Sequence, residues 1–224
     1  MARRLNRAFF DRVPEELAPD LLNKLLVSRR NDVELVARIV EVEAYCGSTD
    51  PASHAFRGKT PRNATMFGPP GHLYVYFTYG MHFCVNVVAR APGDDAGAVL
   101  IRAAAPIDGL ELMRTRRPAA RQDRELLAGP ARLASAFALD RDDDGLDLIR
   151  GPLGLHDDGI APPGRPGRSP RIGLAPGKGD RTRLRWFIWN DPHVSGPRSA
   201  SQSTRRPAEP NVTRATRVSR PPAP

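Results

Sequence analysis

The sequence predicts a single α+β domain, a mixed unit of sheet and helices, followed by a tail. Three observations lead there. Runs rich in β-branched and aromatic residues recur at 33–43, 72–77, 82–88, 99–104 and 183–189, each bounded by turn residues. Helix candidates lie among them, at 8–29 and 123–139 with prolines at helix starts, and at 108–117 with a basic end. From Gly196 onward, six prolines and six arginines sit among Ser and Thr, with no apolar side chain larger than Val. Such a stretch cannot bury enough surface to offset chain entropy, so 1–195 is read as the folded domain and 196–224 as a disordered basic tail.

The elements follow in order. Residues 8–29 read as helical: Pro14 with Glu15 and Glu16 marks a start, and Asp20 is placed to restart the helix after Pro19. Residues 33–43 read as a strand whose alternation puts Glu41 and Glu43 on one face, with Ile39 beside them and Val40 and Val42 opposite. Residues 46–71 hold four prolines and four glycines and read as a loop. A loop of about 25 residues is uncommon in a compact domain and is usually functional. His72–Phe77 and His82–Val88 read as two strands joined by a tight turn at Thr78-Tyr79-Gly80-Met81. A tyrosine and a methionine beside a turn glycine are exposed apolar groups that call for something to touch. Val99–Ala104 is a strand with Arg102 inside it. Helices follow at 108–117 and 123–139, the latter broken at Gly129-Pro130. Asp142–Asp144 read as a solvated acidic run, Leu146–Ile149 as a short strand, 161–170 as a linker or loop, and Arg183–Trp189 as a last strand.

The net charge is +9 over 224 residues, of which +5 falls in the tail and +4 on the rest. A basic balance points to a polyanion, nucleic acid before membrane. Cys46 and Cys84 are the only cysteines, too few for a disulfide framework, so a reducing compartment is expected. No apolar run nears the ~20 residues of a membrane span, and no apolar signal segment follows Met1. A cytoplasmic protein is expected, with no membrane association.

Chemistry concentrates between Glu41 and Val88, which hold all four tyrosines, both cysteines and three of the five histidines. Glu43, ending an apolar strand beside Ala44 and Tyr45, is placed to act as base for a water. Glu41 reads as a salt-bridge partner for an arginine. Tyr45, His54, Tyr76 and Tyr79 are flat groups with polar tips, able to sandwich a planar ligand and hydrogen-bond its edge. Asn86, in an apolar strand, needs a partner if buried and can read the edge of a base. Cys46, His54, His72, His82 and Cys84 are capable of binding zinc but lack metal-site spacing. No phosphate loop, nucleophile elbow or dinucleotide fingerprint occurs. No metal or cofactor is expected.

The stretch EVEAYCGSTDPASHAFRGKTPRNATMFGPPGHLYVYFTYGMHFCVNVV resembles the signature of the methylpurine (3-methyladenine, alkyladenine-type) DNA glycosylases. VLIRAAAPIDGLELM, RELLAGPARLASAFAL, PRIGL and LRWFIWNDPHVS extend the likeness over roughly 7–195. The resemblance implies a curved, largely antiparallel sheet with flanking helices and a protruding, DNA-inserting hairpin at 72–88. It implies a monomeric base-excision repair enzyme that flips damaged purines from duplex DNA and hydrolyses the N-glycosidic bond. It also implies roles. Glu43 activates the water, with Arg102 near the water and the backbone phosphate. Tyr45, His54 and Tyr76 enclose the flipped base, and Asn86 disfavours guanine. Tyr79 wedges into the duplex, and Met81 packs beside it. His82 stands where an aromatic residue is common in the family. The rival readings are a non-catalytic nucleic-acid-binding module on the same aromatic hairpin and a metal-dependent nuclease.

Overall fold

The computed structural model describes residues 2–30 and 32–196. Nine strands and four helices alternate in chain order: β1 Arg3–Arg4, α1 Arg7–Phe10, α2 Pro14–Leu21, β2 Leu25–Arg30, β3 Val33–Tyr45, β4 Leu73–Thr78, β5 His82–Val88, β6 Ala98–Asp108, α3 Leu110–Arg116, α4 Pro130–Phe137, β7 Leu153–Asp157, β8 Gly167–Ser169 and β9 Arg185–Phe187. All pairings are antiparallel. The order β1-β7-β2-β3-β6-β5-β4 curls into a half-barrel, and β8 and β9 add to the far end of β3. The α+β class and the largely antiparallel curved sheet read from the sequence are therefore present. The proposed tail lies, from residue 197 on, outside the described residues.

Three sequence expectations need correction. The helix expected over 8–29 is two short helices and a strand. It crosses Pro19 without restarting, ends at Leu21, and Asn23 in the left-handed region (φ 68°) turns the chain back. Leu25–Arg30 then pairs with β3, residue against residue, from Leu25↔Arg38 to Arg30↔Val33. LLVSR can run as a helix or a strand, and the neighbour across the hairpin decides. The strand expected at 146–149 is a turn, and the missed strand is β7, four residues later. The acidic run is not simply solvated. Asp143 is buried and paired with Arg30, and Asp144 accepts the Val75 backbone N–H.

Strand β3 also departs from simple alternation. Its partner changes from β2 to β9 between Arg38 and Glu41, and its register with β6 shifts at the same point. Ile39 pairs with Ala104 and Val42 with Ile101, with shifts on both sides of Glu41↔Ala103. Ala37 and Ile39 face the main core before the shift, and Val42 and Ala44 face it afterwards. Glu41 and Glu43 therefore point away from Ile39, not beside it as strict alternation predicts. The register irregularity keeps two carboxylates out of hydrocarbon, where each would carry a large desolvation cost.

The core lies on one face of the sheet, where α2 and α4 pack. Phe10, Leu17, Leu21, Leu133 and Phe137 meet Val75, Val85, Val87, Val99 and Ile101 there. Burying each such side chain contributes about 1.5–3 kcal/mol before entropy is counted. Proline opens both α2 and α4 at the first turn, where a missing N–H costs nothing. The alternate residues of β4 and β5, including Tyr74, Tyr76, Cys84 and Asn86, face the other way, into a cleft roofed by the loop 46–71.

Candidate active site

The cleft is a cavity of about 340 Å³. Strand β3 delivers Tyr45 to its wall and Glu43 beneath it. Strand β6 delivers Arg102, β4 delivers Tyr76, β5 delivers Asn86, and the long loop delivers His54. The rim carries Tyr79, and the loop Ile172–Leu174 closes the opposite side. Of the eight residues singled out from the sequence, six line this cavity. Glu43 is held by three of the lining residues, Tyr45, Arg102 and Ile172, and Met81 lies next to the rim on the turn.

Glu43 is fully buried, with 0% of its surface accessible, yet three donors reach its carboxylate. Its Oε1 accepts the Ile172 backbone N–H at 2.8 Å and lies 3.3 Å from Arg102 Nη1. Its Oε2 accepts the Tyr45 hydroxyl at 2.9 Å. A carboxylate offers about four lone-pair directions. With three engaged, one on Oε2 is left for a further donor. Burial, then the adjacent Glu43 charge, pushes the Tyr45 phenol well above its ordinary value, so it stays a donor. Burial alone would lower Arg102, but Glu43 and Glu41 outweigh it and hold the guanidinium charged.

Glu41 is equally buried, at 0%, and its partners are two arginines and the Ser195 backbone, none of them an aromatic group of the cavity wall. Arg102 Nε donates to its Oε1 at 2.9 Å and Arg185 Nε to the same oxygen at 2.6 Å. The Ser195 N–H donates to Oε2 at 2.6 Å. The salt-bridge role read from sequence is the one it has, and the second arginine is Arg185, on β9. Arg102 therefore bridges both glutamates, and Glu41 fixes its position.

The aromatic wall is braced edge to face. His54 lies 4.6 Å from Tyr76 at 86°, and its Nδ1 shares a hydrogen bond of 2.9 Å with the Tyr74 hydroxyl. The Asn63 amide holds the His54 carbonyl at 2.8 Å. Burial, then nearby Arg62, lowers His54 below its ordinary value, leaving a neutral ring at neutral pH. Asn86 donates to the Tyr74 carbonyl at 3.1 Å, which aligns its amide within the cleft. At the turn, Tyr79 and Gly80 both have positive φ (50° and 69°), and Met81 N–H bonds to Thr78 O at 3.3 Å. Tyr79 is 82% exposed and Met81 71%.

Sequence reasoning missed Tyr74, Arg171, Ile172, Arg185 and Ser195. Tyr74 shares a strand face with Tyr76 and could have been inferred from alternation. Arg171 and Ile172 stand inside PRIGL, noted as a likeness but given no role. Among the described residues, no group of three His, Cys, Asp or Glu is disposed to hold a metal ion, and no helix is long and apolar enough to cross a membrane.

Taken together, the fold and cleft define a class: a sheet-based protein that encloses a flat group beside a buried carboxylate and guanidinium, with an exposed aromatic side chain on the rim. The chain belongs to the methylpurine-DNA glycosylase family, whose model matches residues 8–192. A Burkholderia lata protein named "Putative 3-methyladenine DNA glycosylase" is 53% identical over 195 residues, 86% of this chain and 91% of that one. Proteins of the same name from Streptomyces avermitilis and Koribacter versatilis are 49% and 44% identical. They cover 90% and 87% of this chain, and 95% and 94% of their own length.

Proposed function

We propose that this protein is a base-excision repair DNA glycosylase that removes alkylated or deaminated purines from duplex DNA and leaves an abasic site. The observation that carries the reading is the Glu43 carboxylate, buried beneath a ring-lined cavity with one lone pair uncommitted. The target nucleotide leaves the stack and enters the cavity between Tyr45 on one side and His54 and Tyr76 on the other. Tyr79, with Met81 beside it, fills the gap left in the duplex. Asn86 disfavours guanine by meeting its exocyclic amino group. Alkylation at N3 or N7 puts positive charge on the purine, which stacks well on aromatic faces and leaves readily.

Glu43 accepts a proton from the attacking water as the C–N bond breaks, and its charge stabilises the oxocarbenium character developing at the sugar. Arg102 holds Glu43 in place and stands close to the incoming backbone phosphate. Among the described residues no lysine lines the cavity; water is the nucleophile, so no amine adduct forms and no strand cleavage follows. The domain 1–195 does this as a monomer without a cofactor.

The test uses a duplex with a single hypoxanthine or alkylated purine, with abasic sites revealed by alkali. Wild type yields alkali-labile product. Glu43→Gln lowers the rate of base release by at least roughly 10³-fold while duplex affinity stays within about threefold, because only transition-state stabilisation is removed. Cleavage without alkali, or full activity in Glu43→Gln, overturns the proposal.

A further inference from the structure

Two segments remote in sequence meet behind Tyr45. Arg171 Nη1 donates to Asp50 Oδ2 at 2.5 Å, and Nη2 donates to Oδ1 at 2.8 Å. Nη1 also donates to the Ala44 carbonyl at 2.8 Å. The guanidinium carbon stands 4.7 Å from the centroid of the Tyr45 ring. Asp50 is itself held by the N–H groups of Cys46 and Ala52. Both partners are buried, and neither lines the cavity. A third segment closes over them: a Cβ on Gly179 would come within 2.9 Å of Arg171 Nη2 and 3.4 Å of Asp50 Oδ1.

The placement has a direct consequence for Glu43. Two of the three groups that hold its carboxylate are neighbours of Arg171. Ile172, whose N–H grips Oε1, is the next residue in the chain. Tyr45, whose hydroxyl grips Oε2, is the ring on which the guanidinium stacks. Among the described residues Arg171 Nε is buried without a hydrogen-bond partner, a mismatch that a core chosen for stability alone would avoid.

We infer that Asp50 and Arg171 are a positioning pair that orients the Glu43 carboxylate by holding the Ile172 amide and the Tyr45 ring together. The inference rests on Glu43 being the base proposed above. A two-pronged bond combined with ring stacking is a task for a guanidinium, and an ammonium cannot replace it.

The experiment measures single-turnover hypoxanthine release, affinity for the same duplex, and melting temperature. It compares wild type, Arg171→Lys, Arg171→Met, Asp50→Asn and the Asp50→Asn/Arg171→Met double variant. Both Arg171 variants should slow release ~10²-fold, the effect of a small misplacement of a catalytic group. Affinity should change less than about threefold, because no substrate-contacting group is removed. The double variant should be no slower than Arg171→Met, since the two residues act as one unit. Asp50→Asn, nearly the same shape, keeps the test open if Arg171→Met unfolds. An unchanged release rate in a folded variant, equal losses in rate and affinity, or additive losses in the double variant would overturn the inference. A wild type that releases no base overturns the Glu43 reading and this inference with it.

Discussion

Glu43 is fully buried and its carboxylate is held by three groups, whereas Tyr79, on the rim of the same cavity, is 82% exposed. Around Glu43 the protein over-determines the geometry with two glutamates, two arginines, a phenol and two backbone N–H groups. Around Tyr79 it accepts a left-handed backbone at a non-glycine residue, which costs roughly 1–2 kcal/mol, with no packing in return. Under the proposed function, the group that does the chemistry is held still by the fold, and the exposed rim group is left for the DNA to meet. Glu41 sharpens the contrast from within the buried region. It matches Glu43 in burial and face, but its bonds all go to the scaffold.

The largest effect should come from breaking that scaffold. Glu41→Gln strips the countercharge from Arg185 and leaves Arg102 with Glu43 alone, and removing one partner of a buried pair typically costs about 3–5 kcal/mol. For a domain of this size that is a fall of about 10 °C in melting temperature, readable by calorimetry. A melting temperature within a degree or two of wild type would show that the network contributes little. The rim should behave in the opposite way. Tyr79→Gly should raise stability by about 1 kcal/mol, because glycine adopts positive φ freely. The same change should weaken lesion-duplex binding by ~1–3 kcal/mol, the scale of one aromatic–base stack. Parallel melting and duplex titration would show the two moving apart, and a fall in both would place Tyr79 with the scaffold instead.

The smallest effect concerns the wall between them. Burial holds His54 below its ordinary value of 6.5 and does the same to His156. Between the folded and unfolded values only the unfolded chain binds the proton. Stability is therefore fully present above about 6.5 and is lost as pH falls from there toward the depressed folded values, by at most about 1.4 kcal/mol per pH unit for each group. Urea midpoints between pH 7 and 5 should show this slope, and His54→Gln should remove its share. A slope unchanged by that substitution would show that the His54 environment does not perturb it.

How much of this could be read in the sequence depended on how local the determining contacts are. The β4–β5 hairpin was expected almost residue for residue, because alternation, an aromatic-rich run and a turn glycine lie within seventeen residues of one another. Strand β2 was hidden because Leu-Leu-Val-Ser-Arg satisfies either period until Arg30 meets Val33. In the site, Glu43 stood out as a carboxylate ending an apolar strand, Tyr45 and Tyr76 as flat rings with polar tips, and Asn86 as an amide in an apolar strand, while their shared roles came from the family resemblance. Arg171 did not stand out, because it lies in no expected element and its meaning comes from Ala44 and Asp50, more than a hundred residues away. The direction of Ile39 was misjudged because the register shift depends on where β9 replaces β2 beside β3, which no window of sequence reports.

That shift links the lengths of two strands. Core-facing residues are three apart between Ile39 and Val42 on β3, and three apart again between Ile101 and Ala104 on β6, so the extra step on one strand is matched on the other. Arg102 occupies the matching step and reaches both glutamates from it. A substitution near this point leaves the register in step, whatever it costs in stability, but a change in the number of residues does not. An insertion or deletion on β3 falls out of step unless β6 changes with it. Glu41, Glu43 and Arg102 are bound together by this count as well as by charge.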